Sequence, residues 1–193
     1  MNVIIIDYGA GNIQSIQFAF QRLGVHAKLS NSVDEILKAD KVIFPGVGEA
    51  SQAMRMLKKS KLDLLIPNLK QDVLGICLGM QLLCNHSEER DTQGLGIFDV
   101  DVKRFSDAVK VPHMGWNTIQ NLQSGLLMGI SENSYMYSVH SYYANTGNQT
   151  IACSQYEHEF SAALQSDNFY GVQFHPEKSS KDGAQLLQNF LNL

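Results

Sequence analysis

Cysteine is scarce and odd in number: Cys77, Cys84 and Cys153 are widely spaced, and no C-x-x-C pair occurs. This excludes a disulfide framework and a dithiol or zinc-ribbon motif, and fits reduced thiols in a cytoplasm. Long hydrophobic runs are also missing. The longest, such as residues 3–6, are far too short to span a bilayer. The chain opens directly into that run with no basic leader, so no signal peptide is expected. Positive charge is not in excess. Lys and Arg number 15 against 19 Asp and Glu, the net charge is −4, and no basic stripe appears, so nucleic-acid binding is not expected. There is no Pro-, Gly- or Ser-rich linker, no internal repeat and no low-complexity tract. What is present is an ordinary globular balance, 44% hydrophobic and 18% charged over 193 residues. That length holds one substantial core, so a single domain over residues 1–193 is expected.

Taken in order, residues 2–7 (NVIIID) form a continuous apolar run ending in an acid, which reads as a buried parallel strand. A turn at residues 8–12 (YGAGN) leads into a helix with Ile13, Ile16, Phe18, Phe20 and Leu23 on its apolar face, stopped by Gly24. Residues 25–29 read as a second strand. Ser32 and Glu35 have the spacing of a capping box for a short helix over residues 33–38. Residues 41–44 form a third strand. This βαβαβ order predicts a doubly wound α/β domain with a parallel sheet, whose sites lie beyond the carboxyl ends of the strands. Helices are expected over 49–57 and 62–69, the second interrupted by Pro67. A strand is expected at 72–74 and a helix at 80–86. Residues 87–96 read as a polar, solvated loop. After Ile97, short β segments recur at 98–105, 116–119, 135–139, 151–156, 162–165 and 170–174, and predict antiparallel sheet added to the α/β core. Ser179 can cap a last helix carrying Ala184, Leu186, Leu187, Phe190 and Leu191.

Residues 73–83, VLGICLGMQLL, are the chemically informative stretch. An apolar strand runs into Gly75-Ile76-Cys77-Leu78-Gly79, and a helical pattern follows. This is the G-x-Nuc-x-G elbow, with cysteine as the nucleophile. The glycines permit a strained turn, and side chains there would meet the neighbouring strand or helix. Cys77 then sits at a helix N-terminus, where the macrodipole favours the thiolate. The Leu78 N–H points the same way, toward a developing oxyanion. A small buried hydrophobe is the competing reading of a lone cysteine, and the elbow needs a base to prevail.

Six histidines are available. His26 lies at a strand start, and His86 and His158 lie beside acids. His175 differs: residues 169–174 run as a strand straight into His175-Pro176-Glu177. In extended backbone, positions i and i+2 share a face, so Glu177 can orient one imidazole nitrogen while the other faces a thiol. A structural histidine in an HP turn is the alternative, but an elbow cysteine in the same chain favours the triad. Pro45-Gly46-Val47-Gly48 follows the third strand. It is either an ordinary turn or a mobile loop presenting the Val47 N–H to an oxyanion.

Those residues carry a resemblance. GICLGMQ at 75–81 and GVQFHPEKS at 171–179 resemble the two signatures of the class I (triad) glutamine amidotransferases, and PGVG resembles their oxyanion strand. DYGAGN at 7–12, PHMGWN at 112–117 and YSVHSYY at 137–143 are similar to the amidotransferase subunits of imidazole glycerol phosphate synthases. The match covers essentially the whole chain. It implies a flavodoxin-like α/β fold, a largely parallel central sheet flanked by helices, with additional antiparallel strands in the C-terminal half. Ser138 stands where an aromatic is more usual in the family.

The resemblance implies a cytoplasmic glutaminase in which Cys77 attacks the side-chain amide of glutamine, His175 shuttles the proton and Glu177 orients His175. Val47 and Leu78 would supply oxyanion donors, and Gly48, Gln81, Ser141 and Tyr142 would hold the substrate. Asn12, Tyr137 and Lys178 match positions near a subunit interface and ammonia route. It also implies a heterodimer with a (β/α)8-barrel cyclase subunit, which uses the ammonia in histidine biosynthesis. No cofactor, metal, nucleic acid or membrane partner is implied. A related subunit feeding another synthase, or a silent glutamine-binding protein, are the competing functions; an intact triad argues against the second.

Overall fold

The computed structural model describes residues 1–9 and 11–193; Ala10, in the expected turn at residues 8–12, lies outside the described residues. The first half alternates strand and helix: β1 (Val3–Ile6), α1 (Ile13–Arg22), β2 (Ala27–Ser30), α2 (Val33–Leu37), β3 (Lys41–Phe44), α3 (Ala50–Ser60), α4 (Leu62–Leu65), β4 (Asp72–Ile76) and α5 (Leu78–Leu83). The second half is mostly strand: β5 (Cys84–Ser87), β6 (Thr92–Gln93), β7 (Phe98–Arg104), β8 (His113–Thr118), β9 (Tyr135–His140), β10 (Tyr142–Ala144), β11 (Thr150–Gln155), β12 (Glu159–Ser166), β13 (Phe169–Val172) and then α6 (Ser180–Asn192).

The main sheet has seven strands in the order β11-β12-β13-β4-β3-β1-β2. Five of them, β13-β4-β3-β1-β2, run parallel, in the flavodoxin-like doubly wound arrangement. Their apolar runs are buried because helices cover both faces. Ile5, Ile43 and Leu74 pack with α1 and α6 on one side. Ile4, Val42, Phe44 and Val73 pack with α2, α3, α4 and α5 on the other. A half-buried ion pair between Lys41 and Asp72, which are cross-strand partners, joins the amino ends of β3 and β4. Among the described residues no helix is long and apolar enough to cross a membrane.

Several local expectations are corrected. Ser32 makes no capping bond, because Glu35 instead accepts from Ser30 Oγ at 2.6 Å and Lys28 Nζ at 2.7 Å. The helix expected over 80–86 begins at Leu78 and ends at Leu83. Residues 84–87 (CNHS) are weak helix formers and form β5, while the Leu82 and Leu83 carbonyls accept from the N–H groups of Leu95 and Ile97 at 2.8 Å. Residues 87–96 are not simply a solvated loop. They contain β6, and the Glu89 carboxylate accepts from the Ala50 N–H at 2.7 Å, at the start of α3. The later strands are not purely antiparallel either: β13 pairs parallel with β4, and β5 with β7. Pro67 does interrupt the 62–69 helix, which continues as a 3-10 turn.

β8 and β9 form a separate two-stranded ribbon in which His113 faces His140. His140 Nδ1 lies 2.8 Å from the Tyr142 carbonyl, so it must carry the hydrogen. His140 Nε2 is then an acceptor for His113 Nδ1–H at 3.1 Å, and His113 Nε2 accepts from Asn117 Nδ2 at 3.4 Å. The bonds fix both tautomers with both rings neutral. Burial lowers the His113 pKa. Burial also dominates at His140, outweighing the bond to Tyr142 and depressing its pKa to about 3. A histidine held neutral in the fold contributes stability above its unfolded pKa, and that stability is lost as the pH falls toward the folded value. The advantage of the wild type over His140→Gln in urea unfolding is therefore expected to shrink by about 1–2 kcal/mol between pH 6.5 and 5. A constant difference across that window would show that His140 is not held neutral.

Candidate active site

The cysteine elbow forms where β4 meets α5. Cys77 has φ 55° and ψ −113°, a left-handed conformation that a non-glycine residue adopts only under constraint. Its N–H donates to the Val172 carbonyl at 2.8 Å, continuing the β13–β4 ladder to Cys77. The flanking glycines are needed for space. A Cβ on Gly79 would lie 2.0 Å from the Phe44 carbonyl oxygen, and one on Gly75 would lie 2.9 Å from the Met80 nitrogen. Gly46 is as tightly placed, 2.5 Å from the Gly79 nitrogen by the same measure. The elbow and the loop at residues 45–48 thus fit only as glycine-mediated backbone contact.

His175 follows β13 by three residues, and its N–H donates to the Tyr137 carbonyl of β9 at 2.8 Å. Its Nδ1 lies 2.9 Å from Glu177 Oε1. The two side chains meet without the extended backbone expected at this step: only His175 is extended, and Pro176–Lys178 is a 3-10 turn that folds the carboxylate back under the ring. Ser179 does not cap α6 with its side chain. Its Oγ donates to the His175 carbonyl at 2.6 Å and accepts from the Tyr137 N–H at 2.9 Å, which ties the ribbon to the histidine turn. Burial opposes a charge on His175, but Cys77 and Glu177 outweigh it and raise the pKa to about 10. His175 Nε2 and Glu177 Oε2 are buried with no hydrogen-bond partner among the described residues.

A cavity of about 320 Å³ opens onto this cluster. Val47, Gly48, Cys77, Leu78, Gln81, Ser141, Tyr142 and His175 all line it. Eight of the sequence-selected residues are therefore gathered around one space, and Glu177 stands behind His175. Gln81 Nε2 donates to the Tyr142 carbonyl at 2.9 Å and to Gln173 Oε1 at 2.8 Å, so its Oε1 is the atom available to a ligand ammonium. Val47 is 41% exposed, and Gly48 has φ +92°. A larger hollow of about 500 Å³ lies on the other side of the same loop, lined by Asp7, Gly11, Val47, Gly48 and Met56. Among the described residues no cysteine, histidine or serine lines it, whereas Cys77, His140, Ser141 and His175 line the smaller cavity.

Asn12, Tyr137 and Lys178 lie outside the cavity. Asn12 Oδ1 accepts from Ser15 Oγ at 3.1 Å. Lys178 Nζ stands 5.8 Å from the Tyr137 ring centroid, and Tyr137 packs edge-on against Trp116. Glu89, Pro112, Val139 and His140, which line the cavity, and Gln173 escaped the sequence reading. Both nitrogens of His140 are engaged, Nε2 with His113 and Nδ1 with the Tyr142 carbonyl, so it is no competing base. Gln173 lies against Cys77; its position in the residue 171–179 stretch was the available signal. Among the described residues no group of three or more histidine, cysteine or acidic side chains could hold a metal ion.

A family model described as glutamine amidotransferase class-I matches residues 4–193. A protein of Bacteroides thetaiotaomicron named imidazole glycerol phosphate synthase subunit HisH is 54% identical over 196 residues, covering 100% of both chains. A Vibrio cholerae protein of the same name is 47% identical over 200 residues, covering 100% of this chain and 98% of that one. Among solved structures, a chain of PurLQS from Thermotoga maritima superposes with TM-score 0.72 at 16% identity, covering 99% of this chain and 97% of that one. That likeness shows the shared fold. The matched span takes in both strand ends that carry the cysteine elbow and the histidine turn, and the chain belongs to the class I glutamine amidotransferase family.

Proposed function

We propose that this chain is the glutaminase subunit of an imidazole glycerol phosphate synthase, working in the cytoplasm in histidine biosynthesis. The observation that carries the reading is a buried Cys77–His175–Glu177 set opening on one cavity, in a chain 54% identical over its full length to a subunit of that name. Cys77 attacks the side-chain carbonyl carbon of glutamine. The proton from the thiol resides on His175, whose charge Glu177 supports, and passes to the departing ammonia. The resulting glutamyl thioester is hydrolysed by water that His175 deprotonates, releasing glutamate and restoring Cys77. The N–H groups of Leu78 and Val47 stabilise the oxyanion of each tetrahedral intermediate. Gln81 Oε1, Gly48, Ser141 and Tyr142 hold the amino-acid end of the substrate.

The ammonia is consumed by a (β/α)8-barrel cyclase subunit in a heterodimer, a lyase-type synthase that makes imidazole glycerol phosphate and an aminoimidazole carboxamide ribonucleotide. Asn12, Tyr137 and Lys178 belong to the face toward that partner and the ammonia route. Exposed apolar side chains beside them, Met114, Trp116 and Tyr135 of the ribbon, support a docking face there. In the free subunit the loop at residues 45–48 limits turnover, because the Val47 donor is brought into line only in the complex.

Three outcomes are expected. Cys77→Ala lowers glutamate release by at least about a thousandfold while leaving the thermal melt and partner binding intact; substantial residual release would remove Cys77 as the nucleophile. Glu177→Gln keeps an acceptor for His175 Nδ1 but no charge, and costs about a hundredfold or more in the same assay; wild-type turnover would rule out the orienting role. Glutamate release by the wild-type chain rises strongly when a barrel cyclase subunit is supplied together with its nucleotide substrate. Equal rates with and without them would sink the coupling.

A further inference from the structure

We infer that Gln173 is a catalytic residue: its side-chain amide donates a hydrogen bond to the Cys77 sulfur and links the nucleophile to the glutamine-holding wall of the cavity. The inference rests on Cys77 being the nucleophile of the proposed reaction. Gln173 follows β13 and is 1% exposed. Its backbone N–H is already engaged with the Ala162 carbonyl at 2.9 Å, so its side chain is not needed for the sheet. The amide must find partners in the interior, because an unpaired buried amide is costly.

Its orientation is fixed by a chain of donors and acceptors with one solution. The Tyr142 carbonyl can only accept, so the group on Gln81 at 2.9 Å is the NH2. The second hydrogen of that NH2 points at Gln173, whose near atom, at 2.8 Å, must therefore be Oε1. Gln173 Nε2 is left facing Cys77 Sγ at 3.8 Å. Reversing either amide would place two donors or two acceptors against each other. The chain thus runs from the Tyr142 backbone through Gln81 and Gln173 to the sulfur.

A neutral donor aimed at sulfur has little value to a thioester and much to a thiolate, since hydrogen bonds to ions are the stronger kind. Gln173 therefore favours the thiolate before attack, and again when the tetrahedral adduct of deacylation expels it. No proton is exchanged with the amide in either step. The other titratable groups around Cys77 are His175 with Glu177 behind it, His140 on β9, Tyr8 beyond β1, and Glu89 at the cavity wall. None of them occupies the Gln173 side of the sulfur as a donor to it among the described hydrogen bonds.

The test follows alkylation of Cys77 by iodoacetamide against pH, with the Cys77 peptide quantified by mass spectrometry so that Cys84 and Cys153 do not contribute. Gln173→Met keeps the volume and removes the donor. Its alkylation midpoint is expected to rise by about one pH unit, a roughly tenfold loss of thiolate at a pH well below the midpoint. Gln173→Glu can still accept from Gln81 but sets a carboxylate beside the sulfur, and is expected to move the midpoint further up. Gln81→Met leaves the Gln173 amide untethered and gives a smaller upward shift; it serves if Gln173→Met does not melt cooperatively. A purely structural role would lower the melting temperature of these variants and leave the midpoint where it is in the wild type, and that result would overturn the inference. The alkylation profile is read without glutamine or partner. A shifted midpoint in a chain that releases no glutamate with any partner would count against the glutaminase reading and not against this bond.

Discussion

The carboxyl ends of β3 and β4 meet as closely as backbone allows, and the site depends on that contact. Gly79 at the start of α5 lies against the Phe44 carbonyl, with no room for a single methyl group. This closeness puts the loop after β3 beside Cys77 and lets one cavity be lined from both. A parallel doubly wound sheet delivers several strand ends to one edge, and here β13 and β4 deliver His175 and Cys77 as neighbours. The strain at Cys77 is held in place by the same packing, aided by the bond from its N–H to the Val172 carbonyl.

The resting cluster is electrostatically asymmetric. One nitrogen of His175 and one oxygen of Glu177 are bonded to each other, and the remaining atom of each is buried without a partner among the described residues. An unmade hydrogen bond in the interior is a cost to the fold. It is tolerable where the atom has work to do, and in the proposed reaction Nε2 carries the thiol proton. The neighbouring histidine pair shows the contrast. His113 and His140 are fully bonded and depressed in basicity, so the cavity contains one basic imidazole and one inert one within the same wall.

Much of the architecture was legible because its signals are local. The apolar runs of β1, β3 and β4, the elbow glycines and the His-Pro-Glu turn each lie within a few residues of the feature they specify. Most of what escaped depends on distant partners. Ser179 has capping spacing, yet its hydroxyl is taken by the Tyr137 N–H from across the fold. Ser32 also fails to cap, but there the competitors, Lys28 and Ser30 on Glu35, are local, and the spacing of a capping box does not weigh them. The end of α5 is not marked locally because the groups that satisfy its last carbonyls, Leu95 and Ile97, come from beyond β6. Gln173 finds its partners Gln81 and Cys77 more than ninety residues earlier in the chain. His140 could not be sorted from the other histidines without knowing that His113 would face it.

Val47 and Gly48 line both the smaller cavity and the larger hollow on the far side of their loop. They are a partition between two chambers. Because Val47 and Gly48 belong to both walls, a group seated in the outer space touches part of the wall of the inner one, and a change of side chain at residue 47 alters both spaces at once.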